Sequence, residues 1–139
     1  MEQFLSVVRD SDAMGEKEIG NFYAYAFSLY QAGDWTRAAE IFQVLCERCP
    51  FEPKFWFGLG ASLQQEGKDF EKALRAWAMT AFLEPENPYP HFHAAECASS
   101  LKRPEEAAAA LQEADAKAEE SHPLKGRIDA LKRSWNLCP

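Results

Sequence analysis

An alanine recurs in this chain at a nearly constant interval, within three segments of similar pattern. The intervals are 35 and 34 residues, and a large apolar residue follows each alanine by four positions. The alanines are Ala38, Ala73 and Ala107, and the apolar residues are Phe42, Trp77 and Leu111. A period of this length is typical of stacked helical hairpins, in which each repeat buries its apolar face only against its neighbours.

A second helical pattern precedes each alanine. Its apolar or small residues are offset by three, four and seven positions, which places them on one face of an α-helix. The faces are Phe22, Tyr25, Ala26 and Leu29, then Trp56, Leu59, Gly60 and Leu63, then His91, Ala94, Ala95 and Ala98. In the second repeat, this face followed by Ala73, Trp77 and Pro85 resembles the signature of tetratricopeptide repeats, whose period is about 34 residues.

These patterns predict an all-α fold: a right-handed helical solenoid of three tetratricopeptide-type helix hairpins in a single domain, 1–139. Gly33 and Gly67 fall where a helix must end and reverse, since glycine readily takes the positive φ of a helix C-cap. We expect an N-terminal helix within 1–18 (near residues 2–12), repeats at 19–52, 53–87 and 88–121, and a C-terminal capping helix within 122–139. The apolar stripe of this last helix would cover the third repeat's exposed core.

Composition excludes several classes of function. The formal net charge of −7 argues against nucleic acid as a partner, because binding to phosphates needs a basic surface. No stretch approaches the roughly 20 apolar residues of a membrane span, so we expect no membrane insertion. The first residues lack the basic and apolar regions of an export signal, which predicts a cytoplasmic protein with reduced thiols.

The first helix of each hairpin should line the inner surface of the solenoid. Positions two, five, nine and twelve of each repeat are not used for packing between helices and should face this surface. They are Gly20, Tyr23, Phe27 and Tyr30, then Lys54, Phe57, Ala61 and Gln64, then Tyr89, Phe92, Glu96 and Ser99. Six of them are aromatic, which indicates a binding surface for an extended segment. A register error of one residue would instead bury these rings between helices.

Several strings resemble one family more closely than tetratricopeptide repeats in general. The strings are AFSLYQAGDW, IFQVLCERCP, FWFGLGASLQ and YPHFHAAECASSL, and the likeness runs from about Phe22 to Ala118. They are similar to the class II chaperones of bacterial type III secretion systems. The resemblance implies a cytosolic chaperone that binds translocator proteins before export. It also implies that a client segment with a proline-x-leucine-x-x-proline pattern lies in the groove.

The resemblance assigns client contacts to Tyr23, Phe27 and Tyr30, whereas repeat geometry adds Phe57, Ala61, Gln64, Tyr89, Phe92 and Glu96. Homodimerisation through the N-terminal helix, whose apolar residues include Phe4 and Leu5, stays open because family members often have a longer N-terminal region. A generic tetratricopeptide scaffold that binds some other peptide is the alternative reading.

Other chemistry is weakly indicated. Cys46 and Cys49 have the spacing of a zinc or redox pair, but the second pair that a zinc site usually needs does not occur. His91 and His93, two positions apart on a helix, point to different faces. The sequence therefore predicts no metal site, no cofactor and no catalytic residues, and hence a protein that is not an enzyme.

Overall fold

The structure is a computed structural model that describes residues 15–137, and within that range it contains seven α-helices and no strand. They are α1 Glu16–Gln31, α2 Trp35–Arg48, α3 Pro53–Glu66, α4 Phe70–Leu83, α5 Pro88–Ser100, α6 Pro104–Lys117 and α7 Leu124–Ser134. Each helix packs on the next along the chain, and α1 also contacts α3. The all-α class and the tetratricopeptide hairpins are confirmed. The helix expected near residues 2–12 lies outside the described residues.

The turn inside each hairpin uses the same backbone conformation. Gly33, Gly67 and Lys102 all have positive φ, at 81°, 73° and 59°. Around Gly33 and Lys102 the hydrogen bonds are also equivalent: the N–H of each donates to the carbonyl three residues earlier, and the next N–H donates five residues back. This pattern closes a helix C-terminus in the left-handed conformation. The third hairpin therefore makes with lysine the turn that the first two make with glycine.

The second helix of the first two hairpins starts with the same cap. Asp34 and Asp69 each accept a hydrogen bond from the backbone N–H three residues later. Such a cap satisfies one of the helix's unpaired N–H groups. The third hairpin has Arg103 at this position with no side-chain cap, and Pro104 begins α6 instead.

The repeated alanines lie where paired helices come closest. Ala38, Ala73 and Ala107 are all buried, as are the large residues four positions after them. The sequence analysis did not place Phe55 in the core, but it is buried. It was wrong about Tyr25, which was expected to pack but is 41% exposed.

The C-terminal helix α7 packs on the third hairpin. Its Leu124 and Ile128 are buried in a cluster with α5 and α6 residues. Asp115 of α6 holds this helix at two points, through Lys125 at 2.7 Å and Lys132 at 2.6 Å. This is the capping role that the apolar stripe predicts. None of the described helices is long and apolar enough to cross a membrane.

Candidate functional site

Residues of α1 and α3 form most of the lining of an open, aromatic cavity of about 310 Å³. Its lining includes five of the residues that the sequence analysis selected: Tyr23, Phe27, Tyr30, Phe57 and Ala61. We call the cavity that these residues line the aromatic pocket. Its volume is at the lower end of the range for ligand sites in proteins.

The rings of the aromatic pocket are held by contacts with the core. The ring of Tyr23 lies 5.5 Å from that of Phe55 and 6.0 Å from that of Phe42, between centroids. On its other side it contacts Phe27, which is 45% exposed. Tyr23 therefore joins the buried core to an exposed ring. The pocket is anchored before any ligand arrives, which lowers the entropy cost of binding.

Gly58 shapes the floor of the aromatic pocket. A Cβ atom added at this position would lie 2.3 Å from the ring of Phe42, and both residues line the cavity. Only glycine lets the Phe42 ring lie against the backbone of α3 in this way. The sequence analysis missed this role of Gly58. The signal that could have found it is a glycine inside a helix, which usually has a packing reason.

The rim of the aromatic pocket is charged. It includes Glu52 at the start of α3, Lys54, and Glu84 at the end of α4. The Lys54 ammonium lies 5.0 Å from the centroid of the Tyr23 ring, within the range of a cation–π contact. A segment bound in the pocket would thus meet apolar rings at its centre and charges of both signs at its edge.

Gln64 and Glu96, two further predicted site residues, belong to a hydrogen-bonded network with Trp77 and His93. The Trp77 indole Nε1–H donates to Gln64 Oε1 over 3.0 Å, and Gln64 Nε2 donates to Glu96 Oε1 over 3.0 Å. His93 Nδ1 lies 2.8 Å from the same Glu96 oxygen. We call these four residues the polar network. It joins α3, α4 and α5, the elements on either side of the second inter-repeat boundary.

The environment of Glu96 favours its charged form. Partial burial is the largest single influence and raises the pKa of this carboxyl, but hydrogen bonds from His93 and Gln64 and the electrostatic attraction of nearby groups together lower it by more. The net pKa is therefore below the ordinary value. Arg127 of α7 adds a weaker attraction, with a nitrogen 4.0 Å from Glu96 Oε2. Glu96 is therefore ionised at neutral pH.

The structure contradicts the prediction for Phe92. It was expected to face the inner surface, but it is 1% exposed and packs in the cluster with Leu111 and Ile128. Arg127 also covers its ring, with the guanidinium 4.6 Å from the ring centroid. The C-terminal helix α7 is the cause, because it packs over the position where the third repeat would otherwise be open.

His93, to which the sequence analysis gave no role, lies on the side of α5 that contacts Trp77 and Phe57. Its ring lies 4.7 Å from Trp77 and 6.3 Å from Phe57, between centroids. Tyr89, the remaining predicted site residue, is half-buried and stacks on His93 at 6.4 Å. On α5, His93 thus contacts Phe57, while Tyr89 and Glu96 both contact His93. The spacing of His93 and Glu96, three positions apart on one helix, was the available signal.

Two of the cysteines in the described part of the chain, Cys46 and Cys97, are buried and unreactive. Burial raises the pKa of Cys46 and of Cys97 to about 12, so both thiols stay protonated and are poor nucleophiles. Among residues 15–137, no group of three or more His, Cys, Asp or Glu side chains is placed to hold a metal ion.

Comparison with known proteins gives a consistent result. Two tetratricopeptide-repeat family models match residues 21–51 and 53–87. Low calcium response locus protein H of Yersinia pestis is 31% identical over 100 residues, which cover 70% of this chain and 59% of that protein. The chain thus spans about 59% of the length of this curated relative.

Solved structures match over more of their length. PcrH in complex with the chaperone binding region of PopD superposes with a TM-score of 0.83 at 32% identity, covering 90% of this chain and 96% of that one. PcrH comes from Pseudomonas aeruginosa. The Yersinia enterocolitica type III secretion chaperone SycD, bound to a peptide of the translocator YopD, gives 0.83 at 26% identity, covering 91% and 98%. This chain therefore belongs to the family of type III secretion translocator chaperones that are built from tetratricopeptide repeats.

Proposed function

We propose that this protein is a chaperone that binds a type III secretion translocator in the bacterial cytosol and holds an extended segment of it in the aromatic pocket. The observation that carries the proposal is the pocket itself. It is an open, aromatic cavity between the first two hairpins, in a chain related to chaperones crystallised with translocator segments.

The pocket suits an extended segment that contains proline and leucine. Aromatic rings bury large apolar areas, and a proline-containing chain loses little entropy when it binds in an extended form. Tyr23, Phe27 and Tyr30 would form one wall, while Phe57 and Ala61 would form the other. The tyrosine hydroxyl groups can also accept or donate hydrogen bonds to the client backbone.

Binding of this kind explains how a chaperone acts without catalysis. A translocator segment that later enters a membrane is apolar, and in water it aggregates or associates too early. Masking part of that surface lowers the concentration of the free, aggregating form by mass action. The net charge of −7 on the chaperone would help to keep the complex soluble.

The test is co-expression of this chain with the proteins encoded beside its gene, among which we expect a translocator. We expect the translocator to remain soluble and to copurify with the chaperone, and we expect Phe57→Ala to reduce its recovery. Phe82→Ala is the matched control, because Phe82 is 74% exposed and does not line the pocket. Recovery of no translocator with the wild-type chain would contradict the proposal.

A further inference from the structure

The polar network leaves one carboxylate oxygen without a close partner among the described residues. Glu96 Oε1 is the acceptor for both Gln64 and His93, at 3.0 and 2.8 Å. Glu96 Oε2 pairs with Arg127 at 4.0 Å, which is too long for a hydrogen bond. The Glu96 side chain is 30% exposed, so part of it can be reached from outside the protein.

The network also fixes the direction of that oxygen. The Trp77 indole can only donate and an ionised carboxylate can only accept, so the Gln64 amide must point its oxygen to Trp77 and its nitrogen to Glu96. Gln64 and His93 then hold Glu96 Oε1 from two sides. A group held in place in this way binds a ligand with little further loss of side-chain entropy.

We infer that Glu96, held by Gln64 and His93, is a subsite for a lysine or arginine side chain of the client segment. The inference rests on the proposed function and adds a chemical requirement to it: a basic residue in the client beside its apolar ones. The apolar rings of the aromatic pocket would not impose that requirement.

The subsite is continuous with the aromatic pocket. Phe57, Ala61 and Gln64 lie at offsets of four and seven on α3, so they share one face of that helix. The His93 ring contacts Phe57 edge-on at 6.3 Å. A segment that leaves the pocket along α3 therefore reaches Glu96 directly.

Charge selects a cation over other occupants of the subsite. Glu96 is ionised, so an acidic side chain would be repelled, and hydrogen bonds to charged groups are about twice as strong as those between neutral groups. The competing cation, Arg127, has a side chain that is 56% exposed. A client lysine could displace it from Oε2 at little cost, because exposed ion pairs contribute at most about 1 kcal/mol.

The experiment is a position scan of the chaperone binding region of PopD, the segment bound by the related PcrH. Each position is replaced in turn by lysine or by norleucine, and affinities are measured by fluorescence anisotropy at low salt. We expect one position at which lysine binds about tenfold tighter than norleucine, as a charge-assisted hydrogen bond would give. The preference should vanish in Glu96→Gln, which keeps the shape of the side chain.

Glu113→Gln is the matched control, because it removes one charge from an exposed helix position. It should leave the lysine preference unchanged. Arg127→Gln should increase the preference about two- to threefold, because it removes the competing cation. Peptide binding with no lysine preference, or with a preference that survives Glu96→Gln, would overturn the subsite and leave the proposed function standing. Failure of every peptide to bind the wild-type chain would overturn both.

Discussion

The imidazole of His93 stacks on the indole of Trp77, with ring centroids 4.7 Å apart and planes inclined by 27°. Trp77 is the large apolar residue of the second repeat, and His93 belongs to the first helix of the third. The contact therefore joins two repeats. Because His93 also reaches Glu96 and Phe57, the same ring connects the solenoid's packing to the candidate binding surface.

Replacing His93 by alanine should lower the free energy of unfolding by about 2 kcal/mol, because the change removes the ring stacking and a hydrogen bond to a charged group. Urea unfolding followed by tryptophan fluorescence measures the effect. His91→Ala is the control, since His91 is also half-buried but belongs to neither the aromatic pocket nor the polar network. Equal losses in the two variants would contradict a special role for His93.

Glu96 should make stability depend on pH. Its pKa in the folded protein is below the ordinary value of 4.5, so its stabilising contribution is present above that value and is lost as the pH falls through the folded pKa. The free energy of unfolding of the wild type, measured relative to Glu96→Gln, should therefore fall as the pH is lowered from neutral through about 4.5 and below. A difference that stays constant over this range would show that Glu96 is not held in its charged form.

Gly58→Ala should destabilise the protein by about 1 to 3 kcal/mol, because the new methyl group would overlap the Phe42 ring. Gly20→Ala provides the contrast. A Cβ atom there would meet nothing within 4 Å, and alanine favours a helix over glycine by up to about 1 kcal/mol. Thermal unfolding should thus give shifts of opposite sign, and two shifts of the same sign would refute the close contact at Gly58.

Lys102→Gly should stabilise the protein by about 1 kcal/mol. Lys102 has a φ of 59°, which costs a residue with a side chain about that much and costs glycine nothing. Chemical denaturation gives the value, and Lys68→Gly controls for the loss of a lysine in the corresponding turn of the second hairpin, since Lys68 has no positive φ. No gain from Lys102→Gly beyond that of the control would argue against strain at this turn.

Most of the predictions from the sequence follow from the repeat period, because this period sets the register of every hairpin. Once Ala38 and Ala73 fix that register, Tyr23, Tyr30 and Phe57 follow as residues on one surface, and the structure places all three around one cavity. The aromatic pocket could be located in this way because it is formed within the regular part of the solenoid.

The third hairpin was harder to predict from its sequence. On a helix, the residues three and four positions after Tyr89 both lie near the face that carries Tyr89. Phe92 and His93 were therefore equally suited to face the inner surface. The packing of α7 over Phe92 decides between them. That contact is between elements about 35 residues apart, and no local pattern encodes it.

The measurement that tests the account most directly is titration calorimetry of the PopD chaperone binding region into the wild-type chain, Tyr30→Ala and Phe82→Ala. We predict saturable binding to the wild type, about tenfold or greater weakening by Tyr30→Ala with unchanged helical circular dichroism, and no change with Phe82→Ala. Equal affinity of Tyr30→Ala and the wild type would contradict the claim that the aromatic pocket holds the client.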